Sequence, residues 1–117
     1  MKSKASPLTD EMLDVVARRF RLLGEPVRLR MLQRLEGGEC TVNQMAGAIG
    51  GNQANISRHL TALHEAGLLR RRRDGASVYY SIEDPVVFRL CELVCTSERE
   101  RIRTQLEALA AARRRDE

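Results

Sequence analysis

At 117 residues the chain has room for about one domain, and with two Phe, two Tyr and no Trp its core must come from Leu, Val, Ile, Met and Ala. A formal charge of +4 and a pI near 9.4 favour an acidic partner such as nucleic acid. No apolar run is long enough to span a membrane, no apolar secretory segment follows the basic N-terminus, and three cysteines without a disulfide-rich spacing fit a reducing cytoplasm.

Residues 1–8 read as a flexible arm. Leu8, Met12, Val15, Val16, Phe20 and Leu23 recur near helical spacing, which predicts a first helix over 9–23 ended by Gly24. Pro26 suits the first position of a second helix carrying Val27, Leu29, Met31, Leu32 and Leu35, stopped at Gly37-Gly38. Thr41 with Gln44 three residues on is a capping-box pattern, so a short third helix runs from Val42 to about Ile49. Gly50-Gly51 makes a turn and Asn52 caps a fourth helix with inner face Ile56, Leu60 and Leu63, closed by Gly67. A strand begins at Leu68-Leu69 and carries Arg70 to Arg73, Asp74-Gly75 signals a hairpin, and Val78 to Ile82 returns. Asp84-Pro85 starts a last helix to about Ala112, roughly 42 Å long, which leaves 113–117 as a charged tail. The expected fold is mainly α with a β-hairpin wing, a winged helix-turn-helix over 9–112, and a small chain with long helices gains burial by dimerising.

A helix fits the major groove, where base edges differ in donor and acceptor pattern. In the stretch Asn52 to Leu60, Gln53 and Asn55 are of the type that bonds base edges, Arg58 suits guanine or a phosphate, and Ser57 and the helix N-terminus suit phosphate oxygens. Alternation along the arginine strand aims about two of its four arginines at DNA. Arg73, near the turn, is the foremost candidate for a minor-groove or backbone contact. The expected DNA-facing set is Thr41, Asn52, Gln53, Asn55, Ser57, Arg58, His59, Arg71 and Arg73. A plainer reading stands beside it: four arginines also make a solvated edge strand that resists aggregation, and Gln53, Asn55 and Arg58 are each ordinary on a helix surface. No nucleophile-base-acid set and no phosphate-cradling glycine loop point to an enzyme.

Across almost its whole length the chain resembles the ArsR/SmtB winged-helix repressors. The resemblance is carried by G-E-P-V-R-L-R-M-L (24–32), T-V-N-Q-M-A (41–46), N-I-S-R-H-L-T-A-L-H-E-A-G-L-L (55–69) and R-R-R-R-D-G-A-S-V-Y-Y-S-I-E-D (70–84). It implies a homodimer joined mainly by the first and last helices. It also implies binding to double-stranded operator DNA with an inverted repeat, and release on sensing an inducer, often a metal ion, As(III) or Sb(III). Histidine at the position of His59 is common in the family, which implies a structural bond or a DNA-backbone contact there.

The family's sensor sites can be compared residue by residue. Asp84 and Glu100 match the outer ligands of one metal site, but Val86 and Ser97 stand where imidazoles are needed, which argues against zinc or nickel. Thr41-Val42-Asn43 replaces the family's C-V-C, with Cys40 one residue early. Gln33 and Arg99 occupy the positions of a reactive-sulfur cysteine pair. Cys91 and Cys95, four apart on one helix face, remain. Soft thiolates at that spacing suit As(III), Sb(III) or another soft metal ion, with a third thiol from Cys40 or the second subunit. The competing reading makes Cys40, Cys91 and Cys95 small buried hydrophobes. Thiol-redox or reactive-sulfur sensing, a ligand-independent regulator and a winged-helix protein-interaction module stay open as alternatives.

Overall fold

Three of the four helices of the N-terminal part, the second excepted, start at a side chain that accepts from one of their first amides. The computed structural model describes residues 8–116. Thr9 caps α1 (Asp10–Leu23) by accepting from the Met12 amide at 3.2 Å, and Asp10 and Glu11 complement the positive end of the helix dipole. Pro26 opens α2 (Pro26–Glu36), where its missing N–H costs no hydrogen bond. Thr41 caps α3 (Val42–Ile49) with the expected box: its Oγ1 accepts from the Gln44 amide at 3.1 Å, and its own amide donates to Gln44 Oε1 at 2.9 Å. Gly50 and Gly51, with φ of 82° and 100°, make the turn in a left-handed region that favours glycine. Asn52 then caps α4 (Gln53–Glu65), its Oδ1 accepting from the Asn55 amide at 2.8 Å.

The sheet has one strand more than the sequence suggests. Strands β2 (Leu69–Asp74) and β3 (Ser77–Ile82) form the antiparallel hairpin, closed by the pair Asp74 and Ser77 around Gly75-Ala76. The two-residue β1 (Cys40–Thr41) adds to the other edge of β3, in the order β1-β3-β2, with Cys40 opposite Tyr80. Two residues carry no periodicity, so β1 is specified by its partner rather than by its own sequence.

The core of residues 8–84 lies where α2, α3, α4 and the sheet converge. Met31, Met45, Leu60, Leu63 and Cys40 are completely buried there, with Ile56, Leu68, Leu69 and Tyr80 nearly so. The expected inner face of α4, Ile56, Leu60 and Leu63, is thus the buried one, and it fixes which α4 residues are left for solvent.

The second unit, residues 85–116, is dominated by α5 (Pro85–Arg115), 31 residues and about 46 Å long. It runs three residues past Ala112, so the expected charged tail is helical through Arg115. Arg113, Arg114 and Arg115 complement the negative end of the dipole, which favours continuing the helix. Glu98–Arg101, Glu100–Arg103 and Arg103–Glu107 ion pairs lace its surface. Leu93, Val94, Ile102, Leu106 and Leu109 nevertheless stay exposed in the single chain, as do Met12, Leu13 and Phe20 on α1. No helix among the described residues is long and apolar enough to cross a membrane. Residues 1–7 of the expected arm, and Glu117 of the tail, lie outside the described residues.

Candidate nucleic-acid interface

Burial of Ile56, Leu60 and Leu63 turns the opposite side of α4 outward. Asn52, Gln53 and Arg58 are exposed, while Asn55, Ser57 and His59 are half-buried. Several of these polar groups are already committed within the chain. Asn52 Oδ1 serves the cap, and Asn55 Oδ1 accepts from Arg58 Nη2 at 2.6 Å, which leaves the Asn55 NH₂ group as the donor to offer a ligand. Thr41, half-buried, has its Oγ1 engaged by Gln44 and keeps its O–H as a donor.

Both histidines have defined partners. His59 Nδ1 accepts from Arg28 Nε at 3.0 Å, and Arg28 Nη1 donates to the Leu22 carbonyl at 3.0 Å. His64, given no role by its sequence context, lies 3.0 Å through Nδ1 from the Leu69 carbonyl and meets Tyr80 edge-on at 6.4 Å between ring centres. A carbonyl only accepts, so His64 Nδ1 carries the proton. His64 is therefore part of the joint between α4 and β2.

The four wing arginines divide by strand alternation. Arg70 pairs with Glu83 at 2.6 Å. Arg72 donates twice to Glu39, at 2.6 and 3.2 Å, and its guanidinium sits 4.5 Å from the centre of the Tyr79 ring. The Arg72 hydrogen bond holds the Glu39 carboxyl below the usual carboxylate range, and Glu39 in turn holds Arg72 more firmly protonated. Arg71 and Arg73 are exposed and make no ion pair among the described residues. Nothing local in the sequence announces the clamps, because Glu39 and Glu83 lie 33 and 13 residues from their arginines.

The cysteines occupy three environments. Cys40 is completely buried on β1, where desolvation raises its thiol against a smaller opposing effect of Arg34. Cys91 is half-buried, and burial raises its thiol too. Cys95 is exposed. Among the described residues no three His, Cys, Asp or Glu side chains form a group that could hold a metal ion. Glu100, one of the two carboxylates matched to the family's metal site, is held by Arg103 at 2.7 Å, which keeps its carboxyl below the usual range.

A family model described as a helix-turn-helix domain matches residues 23–72. The transcriptional regulator KmtR of Mycobacterium tuberculosis is 35% identical over 88 residues, 75% of this chain and 68% of KmtR. A homodimeric winged helix-turn-helix DNA-binding domain from Mycobacterium bovis, described as a possible ArsR-family regulator, superposes with a TM-score of 0.70 at 36% identity, covering 82% of this chain and 92% of that one. The antimony-specific transcriptional repressor AntR superposes with a TM-score of 0.72 at 31% identity, covering 85% and 91%. These relatives are named as regulators rather than enzymes, and the two solved structures share the fold over 82% and 85% of this chain. The chain belongs to the ArsR/SmtB family of winged helix-turn-helix transcriptional regulators.

Proposed function

We propose that the chain is a cytoplasmic, homodimeric repressor that binds double-stranded operator DNA with an inverted repeat. The observation that carries this reading is the placement of polar groups on α4 and the wing. Arg58 is exposed on the side of α4 opposite the core, Gln53 is exposed at the first position of α4, and Arg71 and Arg73 are the two wing arginines without a carboxylate partner among the described residues. Gln53, Asn55 and Arg58 would face base edges, and Ser57, the α4 N-terminus, Arg71 and Arg73 the phosphates. The exposed apolar side chains of α1 and α5 support dimerisation, since a second copy covering them removes that surface from water. The homodimeric M. bovis domain supports the same state. A gel-shift titration of the dimer against promoter and random duplexes, repeated over a salt series, tests this. Selective binding supports the repressor, and binding without salt-dependent selectivity between duplexes supports a protein-interaction module.

The inducer we propose is As(III), Sb(III) or a related thiophilic ion at Cys91 and Cys95. Two soft donors one helical turn apart suit such an ion, the likeness to an antimony-specific repressor favours it, and exposed Cys95 offers a first point of capture. On α5 these two cysteines supply two of the three thiols of a trigonal site, and the third would come from a partner subunit or from Cys40. The burial of Cys40 favours a core role for that residue over a ligand role. The test compares operator release from wild type and from the Cys91→Ser/Cys95→Ser double variant, with arsenite, antimonite, cadmium, peroxide and polysulfide. Release of wild type alone by the thiophilic ions supports the proposal. Release by peroxide or polysulfide alone moves it to redox or reactive-sulfur sensing, and equal release of both proteins removes these cysteines from the mechanism.

A further inference from the structure

We propose that Arg28 is a positioning residue for DNA binding: it ties the end of α1 to α4 and holds the His59 imidazole with its proton on Nε2. The inference rests on the DNA-binding reading above. Arg28 lies on α2 and reaches in two directions, from Nε to His59 Nδ1 at 3.0 Å and from Nη1 to the Leu22 carbonyl at 3.0 Å. Both bonds are partly buried, and His59 is 31 residues away in sequence. Leu22 belongs to the last turn of α1, where carbonyls have no partner within the helix and a cation is favoured.

A guanidinium has five N–H donors and no acceptor. His59 Nδ1 therefore offers its lone pair, and a neutral imidazole in that arrangement carries its proton on Nε2. His64 shows the opposite case, since the Leu69 carbonyl demands a proton on Nδ1. The chain has only these two histidines, so the structure assigns it one of each tautomer.

The consequence for DNA comes from where His59 sits. It follows Arg58 directly and lies one helical turn beyond Asn55, whose Oδ1 holds the Arg58 side chain. Packing of Ile56, Leu60 and Leu63 fixes the depth of α4, while the Arg28 bond ties its flank at a defined point on α2. A path of hydrogen bonds thus runs from the end of α1 through Arg28 to the segment of α4 that carries Arg58. Lysine cannot replace it, because one ammonium at the end of a flexible stem lacks the planar fork that reaches both acceptors.

Two measurements test this. In ¹⁵N spectra of histidine-labelled protein, with a His64→Gln sample for assignment, His59 is expected as the Nε2–H tautomer and His64 as Nδ1–H. In anisotropy titrations with a labelled duplex of the DNA preceding the chain's own gene, Arg28→Lys and His59→Leu are expected to weaken binding by roughly ten- to a hundredfold. Helix content and dimerisation should be unchanged. His59→Gln, whose amide again offers an acceptor and a donor, is expected to recover part of the binding that His59→Leu loses. A folded Arg28→Lys dimer that binds like wild type, or a His59 proton on Nδ1, overturns the inference. If Arg28→Lys does not fold, the His59→Leu and His59→Gln pair and the wild-type spectrum decide. A wild type that binds no duplex overturns the DNA-binding reading and this inference together, whereas tight wild-type binding with unchanged variants overturns this inference alone.

Discussion

The guanidinium of Arg72 lies 4.5 Å from the ring centre of Tyr79, the residue directly opposite it on β3, while both oxygens of Glu39 accept from its Nε and Nη2. Its neighbours Arg71 and Arg73 project the other way along the strand. Arg71→Ala and Arg73→Ala should each weaken binding to many duplex sequences and lower the salt slope by about one. Arg70→Ala and Arg72→Ala should leave that slope nearly unchanged. Equilibrium titrations from low to moderate salt check the division, and equal slopes for all four variants would contradict it.

The Glu39–Arg72 clamp carries a pH dependence of definite sign. The folded-state pKa of Glu39 lies below its ordinary value, so the pair stabilises the fold above the unfolded carboxylate value. That contribution fades as pH falls through the usual carboxylate range and is gone below the depressed folded value. Thermal melts of wild type and Glu39→Gln from neutral pH into that range should converge as pH falls. Both groups are at the surface, so the separation at neutral pH should be small.

Much of this architecture is legible in the sequence because its signals are local. The Thr41–Gln44 box, the Asn52 cap, the glycine pair at 50–51 and the spacing of Ile56, Leu60 and Leu63 each lie within one or two helical turns. What is not legible depends on distant partners. β1 exists because Cys40 and Thr41 meet Tyr80 and Tyr79, and Glu39, Glu83 and Arg28 acquire their roles from residues 33, 13 and 31 positions away. The end of α5 lies beyond Ala112 because three consecutive arginines favour a helix C-terminus, where a sequence reader expects a frayed tail.

Asn52 separates capping from DNA contact. Asn52→Ala should cost about 1 kcal/mol of stability by removing the bond to the Asn55 amide. Asn52→Asp keeps a capping oxygen and suits the helix dipole, so stability should hold while a negative charge at the α4 N-terminus repels phosphate. Urea denaturation of both variants, with DNA titrations at low salt, checks the pair. Full DNA affinity in Asn52→Asp would place this helix end away from the backbone.

The three thiols should differ in their rates of alkylation. Cys95 is exposed, Cys91 is half-buried with its thiol raised, and Cys40 is completely buried with its thiol raised. Iodoacetamide labelling followed by peptide mass spectrometry should show Cys95 first, Cys91 next and Cys40 only on unfolding. Early labelling of Cys40 in the folded protein would restore it as a ligand candidate.

Selection of duplexes from a randomised pool by the purified dimer tests the central claim most directly. The account predicts enrichment of an inverted repeat whose half-sites lie about one helical turn, roughly 34–36 Å, apart. The enriched site should be bound at least about a thousandfold more tightly than random DNA, and that preference should shrink in Arg58→Ala, which should lose about 1–3 kcal/mol at the base it reads. A folded dimer that enriches no sequence at low salt would contradict the account.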